Sequence, residues 1–251
     1  MADVISILCA DLHLSLTAPV ARSAEPDWLE AQKRSLDQLR KISDEQDAPI
    51  VCAGDIFDRW NSPVELANWA MDNLPLMYAI SGQHDLPMHN LEDIHRSVYW
   101  TLVKEGTISD LGKSGNYTEL KDVVLFGFPW GSTVRMVEHD VPGDKMQLAV
   151  IHAYCWTTGH NYPGAPNEGK LTGWKSGLSG YDAACFGDNH DGFLSKCGGT
   201  NVLNCGCLIR RKQDERKYRP AVGLLFDDGH IEQEFLDCSE DKWLDPDDQV
   251  A

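Results

Sequence analysis

Hydrophobic positions in the first hundred residues come as short apolar bursts separated by amphipathic stretches. Residues 4–10 (VISILCA) form an apolar run that stops at a polar cluster, which predicts a buried strand followed by a loop. Over residues 26–45 the period changes. Trp28, Ala31, Leu36, Leu39 and Ile42 share one broad face with charges elsewhere, which predicts a helix. Strands are expected at 49–53 and 76–80. Between them, Ser62-Pro63-Val64-Glu65 reads as a capping box with proline at the first helical position, opening a helix to about Leu74. Residues 91–103 read as a further helix. Strand, loop and helix in alternation predict an α/β fold that begins with a largely parallel sheet.

The second half has a different rhythm. Short strand-like runs fall at 123–127, 147–152, 183–186, 200–203, 221–226 and 231–235. Asp227-Asp228-Gly229 between the last two predicts a hairpin. Residues 157–180 are rich in Gly, Asn, Pro and Ser without a period, and a loop of that length in a compact domain is usually functional or mobile. One domain is expected over residues 1–238, followed by an acidic, flexible tail at 239–251.

Composition narrows the class. The 251 residues carry 39 acidic against 22 basic side chains, a net charge of −17, which disfavours broad electrostatic wrapping of nucleic acid. No apolar run reaches membrane-spanning length, and the first residues lack the basic and apolar regions of a signal peptide. The eight cysteines include no Cys-x-x-Cys, and Cys9, Cys52 and Cys185 lie in apolar runs. Buried reduced thiols in a cytoplasmic protein are the expectation.

Candidate chemistry sits just after the predicted strands. Asp11-Leu12-His13 follows the first, Gly54-Asp55-Ile56-Phe57-Asp58-Arg59 the second, and Gly82-Gln83-His84-Asp85 the third. His152 ends a later strand, and Gly187-Asp188-Asn189-His190 ends another. Carboxyl ends of parallel strands are where α/β sheets bind ligands, and imidazole with carboxylate suits Zn, Mn or Fe. Taken singly, Gly-Asp-x-x-Asp also fits an Asx-capped turn, and His84-Asp85 a surface pair. His89, His95, His139, His160 and His230 lie outside the pattern and read as surface or supporting residues.

The ordered set resembles the calcineurin-like metallophosphoesterase superfamily, whose pattern is D-x-H, G-D-x-x-D, G-N-H-[DE], a lone H, and G-H-x-H. The resemblance spans residues 4–207. Within it, GDIFDR is similar to the SbcD-type DNA repair nucleases, and residues 204–211 resemble the G-S-x-x-R stretch that follows their last motif. The resemblance implies a four-layer α/β/β/α sandwich and two divalent cations, with Mn²⁺ expected first and Mg²⁺, Fe²⁺ or Zn²⁺ as alternatives. It implies one cation on Asp11, His13, Asp55 and His190, and a second on Asp55, Gln83, His152 and Asp188. His84 is then the proton donor or charge stabiliser at the leaving-group oxygen, Asp85 its orienting partner, and Asp58 a supporting residue. Two positions depart from the pattern: Gln83 stands for the expected Asn, and Asp188 for the expected first His. An added carboxylate oxygen favours Mn²⁺ or Mg²⁺ at the second position.

The implied function is phosphodiester hydrolysis by a hydroxide that two metals activate, with DNA as substrate. The alternative is a small-molecule phosphodiesterase or phosphomonoesterase using the same metal pair. A binding protein that uses the metals structurally is a third, weaker alternative. Arg210 and Arg211 begin a basic stretch, continued by Lys212, Arg216, Lys217 and Arg219, that is expected to contact substrate phosphates. An ATPase partner is implied by the nuclease branch, although no docking segment is evident after the last motif.

Overall fold

A computed structural model describes residues 2–112, 117–137 and 144–245. Two six-stranded mixed sheets face each other. The first contains β1 (Val4–Cys9), β2 (Ile50–Cys52), β3 (Met77–Ala79) and β4 (Ile108–Asp110) in parallel. The antiparallel hairpin β11 (Ala221–Phe226) and β12 (Ile231–Phe235) extends it beside β1. The second sheet has a parallel centre of β6 (Val123–Phe128), β7 (Met146–His152), β8 (Ala183–Gly187) and β10 (Thr200–Asn204). Its edges are the antiparallel strands β5 (Tyr117–Glu119) and β9 (Phe193–Cys197).

Each buried layer follows from side-chain alternation. Ile5, Leu8, Val51, Ala53 and Ile80 meet Val123, Leu125, Leu148, Val150 and Cys185 between the sheets. Ile7, Cys9, Ile50, Cys52 and Ala79 point the other way, against α1 (Trp28–Gln46), α2 (Val64–Asn73) and α3 (Val98–Glu105). The five apolar positions expected on one face of the first helix are all buried. Asp27 caps that helix, its carboxylate accepting from Leu29 N and Glu30 N. The outer face of the second sheet is covered differently. Leu171, Leu178 and Tyr181 from the long loop cover it, supported by short 3-10 turns at Asn167–Gly169 and Leu171–Lys175.

Several expectations change. The Ser62 hydroxyl bonds Arg59 O instead of capping α2, so the capping box does not form and Pro63 starts the helix unaided. The helix expected at 91–103 splits into a 3-10 turn, Leu91–Arg96, and α3. Ser97 turns extended between them and caps Trp100 N with its hydroxyl. Part of the expected flexible tail is tied down. Asp241 pairs with Arg22 at 2.8 Å and Arg210 at 2.7 Å, and the Trp243 ring lies under both guanidiniums. Leu244 N donates to Ala21 O. The reason is charge pairing: acidic and aromatic side chains in the tail meet two largely buried arginines. Residues 246–251 and His139 lie outside the described residues. Among the described residues, no helix is long and apolar enough to cross a membrane. All eight cysteines are free thiols, seven of them buried.

Candidate dinuclear metal centre

The ends of β1, β2 and β8 turn inward because the chain leaves the pleat sharply at each of them. Asp11, His13, Asp55 and Asp188 all have left-handed backbones, with φ of 53°, 47°, 53° and 90°. Such conformations are strained for residues other than glycine, and they persist where neighbours over-determine them. Here Asp11 N donates to Gly54 O at 3.0 Å and His13 N to Asp55 O at 2.9 Å, so the β1 and β2 turns lock together. Gly54 itself has φ 95°, and a Cβ there would lie 2.4 Å from His152 Nδ1. Only glycine lets the β2 turn pass so close to the imidazole at the end of β7.

The Asp55 carboxylate is central. Its Oδ1 accepts from His84 N at 2.9 Å. Its Oδ2 is buried without a hydrogen-bond partner, 3.6 Å from His13 Nε2 and 3.5 Å from His152 Nε2. Asp11, His13 and His190 form one group of converging donor atoms, and Asp11, Asp55 and His152 form another. His13 Nε2 and His190 Nε2 are 3.0 Å apart. A buried orphan oxygen flanked by two imidazole groups is a donor set that fits divalent cations. Gln83 also lies in the cradle. Its Oε1 accepts from His152 Nε2 at 2.7 Å, and its amide donates to Asp188 Oδ1 at 2.8 Å.

Electrostatics follow from this crowding. Burial pushes Asp11 up to about 7, against the pull of His190 and His152. Burial also works against ionised Asp55, but His152 and His13 hold its carboxyl below the usual carboxylate range. Burial opposes protonation of His152, yet Asp55 beside it raises that imidazole to about 10. Burial pushes His13 well below the usual histidine value. His152 Nδ1 donates to Ala53 O at 2.5 Å, which leaves Nε2 facing Asp55.

Some supporting roles differ from expectation. Asp85 does not touch the His84 ring. Its buried carboxylate accepts from Ile56 N, Phe57 N and Gly82 N, holding the β2 and β3 turns together. The His84 Nδ1 instead meets the Asp58 carbonyl at 2.8 Å. Arg210 is no phosphate contact. It is only 9% exposed, and its guanidinium is consumed by Asp241 and the carbonyls of Arg216, Tyr218 and Cys238. Arg211 stays beside the centre, with Nη1 2.7 Å from Asp58 Oδ1. His160 pairs with Asp191, His95 with the Glu92 carbonyl, and His230 stacks on Phe226. His89 lies on a strained turn, φ 59°. Sequence reasoning missed Glu215, whose Oε1 accepts from His190 Nδ1 at 2.8 Å. Its only signal was an acid inside a basic stretch.

A calcineurin-like phosphoesterase family model matches residues 6–192, most of the chain and every strand-end motif named above. The chain belongs to the calcineurin-like phosphoesterase family. It is therefore a phosphoester hydrolase with the family's two-sheet α/β sandwich; the family uses a dinuclear divalent metal centre, and the converging Asp and His groups of this chain could hold such ions. The match covers the whole family and does not single out its SbcD-type branch. No curated protein matches the chain. Among solved structures, it is similar to a 5'-nucleotidase precursor from Thermus thermophilus, at 12% identity and TM-score 0.53. It is also similar to the sulfate thiohydrolase SoxB of the same organism, at 10% identity and TM-score 0.53. The superpositions cover 94% and 97% of this chain, but only 54% and 58% of those proteins. An archaeal phosphodiesterase overlaps more completely, over 92% of this chain and 99% of its own, at 13% identity and TM-score 0.47. Identities this low speak to the fold alone.

Proposed function

We propose that this phosphoesterase is a two-metal phosphodiesterase acting on a compact phosphodiester. Asp11, His13, Asp55 and His190 would hold one cation, and Asp55, Gln83, His152 and Asp188 the other. The unpartnered Asp55 Oδ2, placed between His13 and His152, supports a bridging role for that carboxylate. Two bound cations would activate a water and neutralise charge on the phosphoryl group. The remaining work falls to the chain. His84, turned by the Asp58 carbonyl on Nδ1, keeps Nε2 for the departing oxygen, where it can donate a proton. Asp85 keeps the turn beneath it rigid.

The observation that carries the diester reading is the carboxylate of Asp188 in the cradle, joined to His152 through Gln83. Asp11, Asp55 and Asp188 set three negative charges against the four positive charges of two divalent cations. Asp188 in place of the family's neutral His lowers the positive charge of the cradle by one unit, which suits a phosphodiester monoanion better than a phosphomonoester dianion. A compact substrate is favoured because the basic stretch is partly spent. Arg210 is buried in an ion-pair network, and Arg211 pairs with Asp58 at 2.7 Å. Exposed Lys212, Arg216, Lys217 and Arg219 favour a second reading, a DNA end as substrate.

The test offers Mn²⁺-loaded protein bis-p-nitrophenyl phosphate, p-nitrophenyl phosphate, and labelled single- and double-stranded DNA. The diester should be cleaved with the higher kcat/KM of the two small compounds. Turnover of the monoester alone would overturn the proposal. DNA cleaved more efficiently than either would assign the second reading.

A further inference from the structure

Residues 205–219 lie beyond the stretch that the family model matches, yet they close over the His190 side of the centre. Cys207 N donates to His190 O at 3.2 Å. The Tyr218 hydroxyl donates to Cys205 O at 3.2 Å, and a Cβ on Gly206, φ 71°, would fall 2.0 Å from that hydroxyl. Buried Arg210 anchors the base of the segment through the Arg216 and Tyr218 carbonyls. The turn Gln213–Lys217 then carries Glu215 inward, where it is 7% exposed.

Both carboxylate oxygens of Glu215 are occupied. Oε2 accepts from Arg211 N at 2.6 Å and Lys212 N at 2.8 Å. Oε1 accepts a hydrogen bond from His190 Nδ1 at 2.8 Å. The other ring nitrogen, Nε2, is the one that faces His13 Nε2. We propose that Glu215 is a positioning residue: it fixes the His190 tautomer and ring angle so that Nε2 is presented to the cation shared with Asp11, His13 and Asp55. A carboxylate on the far nitrogen of a ligating histidine orients the ring and raises its basicity. The two backbone amides hold the carboxylate in turn, so the ring angle is set by the main chain of residues 211–212. Glu215 touches neither substrate nor cation.

The inference rests on the metal assignment of His190 and not on the diester reading, so metal binding is the readout. Calorimetric Mn²⁺ titration of the full chain should resolve two steps, and His13→Ala identifies the one on its side. In Glu215→Gln that step should weaken about 10–100-fold, with the other step unchanged and Glu215→Asp recovering part of the loss. Unchanged affinity for both cations in Glu215→Gln overturns the proposal. Where the variant does not fold, nitrogen NMR of Cd²⁺-loaded native protein decides. His190 should show protonated Nδ1 and metal-bound Nε2, and a metal-bound Nδ1 overturns the assignment. A native chain that binds two cations but cleaves no phosphodiester refutes the diester reading and leaves this one standing. A native chain that binds none overturns both.

Discussion

On one side of Asp55, the structure gathers Asp11, His13 and His190 with their donor atoms converging, and Glu215 backs the outermost ring. On the other side, a Gln83 amide lies between His152 and Asp188 and hydrogen-bonds both. On the first side the ligand atoms also meet one another, His13 Nε2 lying 3.0 Å from His190 Nε2, but backbone locks and Glu215 fix where those rings stand. The second satisfies itself when no cation is there, so a cation must displace the His152–Gln83 contact to enter. Pre-organisation lowers the cost of binding, so the two sides should differ in affinity, the His13 side being the tighter. Both departures from the family pattern, Gln83 and Asp188, fall on the weaker side and touch one another.

The largest expected effect erases the comparison. Asp55→Asn removes the carboxylate common to both sides, and phosphoester turnover should fall to background in a steady-state assay. Next comes His84→Ala. Its kcat should drop by about 10²–10⁴-fold, the usual contribution of a general acid, while both metal affinities stay as they were. Loss of a cation in that variant would move His84 from the substrate to the metals.

How much of this was legible in the sequence depends on how far apart the partners lie along the chain. Asp11 and His13, or Asp55 and Asp58, stand a few residues apart directly after an apolar run, so strand and motif reinforce each other. The long-range supports carry no such pattern. Asp85 looked like a partner for its neighbour His84, yet it reaches back 28 residues to Phe57 N. Arg210 looked free for phosphate, but Asp241 claims it from a tail that composition alone marked as loose. Strand β9 was missed because its exposed middle, Leu194 to Lys196, offers no apolar run. Ser62 satisfied the capping-box pattern, but its hydroxyl found a nearer carbonyl.

A smaller effect sharpens the difference between the sides. Gln83→Asn with Asp188→His restores the family residues together. The double variant should shift the weaker step from Mn²⁺ toward Zn²⁺ and raise monoester turnover relative to diester, whereas each single change should leave an unmatched partner. Additive effects of the two substitutions in a double-mutant cycle would show that they do not act as a pair.

Acidity should act on both sides in a known direction. Asp11, raised to about 7, and His152, raised to about 10, are protonated below those values in the metal-free chain. Cation binding must expel those protons, so affinity rises with pH. Below about 7 protons leave both residues, and above about 7 His152 still supplies one. His190, which burial opposes but Glu215 and Asp11 hold above the usual histidine range, adds to the release at the acid end. Titrations in buffers of different ionisation heat should therefore count more protons released at about pH 6 than at about pH 8. Equal counts at the two values would remove Asp11 from the cradle. The smallest effect on chemistry is expected outside the centre. Arg210→Leu leaves Asp241 with Arg22 and Arg34 and frees the carbonyls that hold the Glu215 segment, so it should cost about 1–3 kcal/mol of stability in chemical denaturation and lower kcat only slightly.

The central claim is that one carboxylate joins two cations, and counting them tests it most directly. Native protein saturated with Mn²⁺ should hold two per chain by elemental analysis, and Asp55→Asn should lose affinity for both. Saturation at one per chain, or two cations retained with native affinity in Asp55→Asn, would contradict the account.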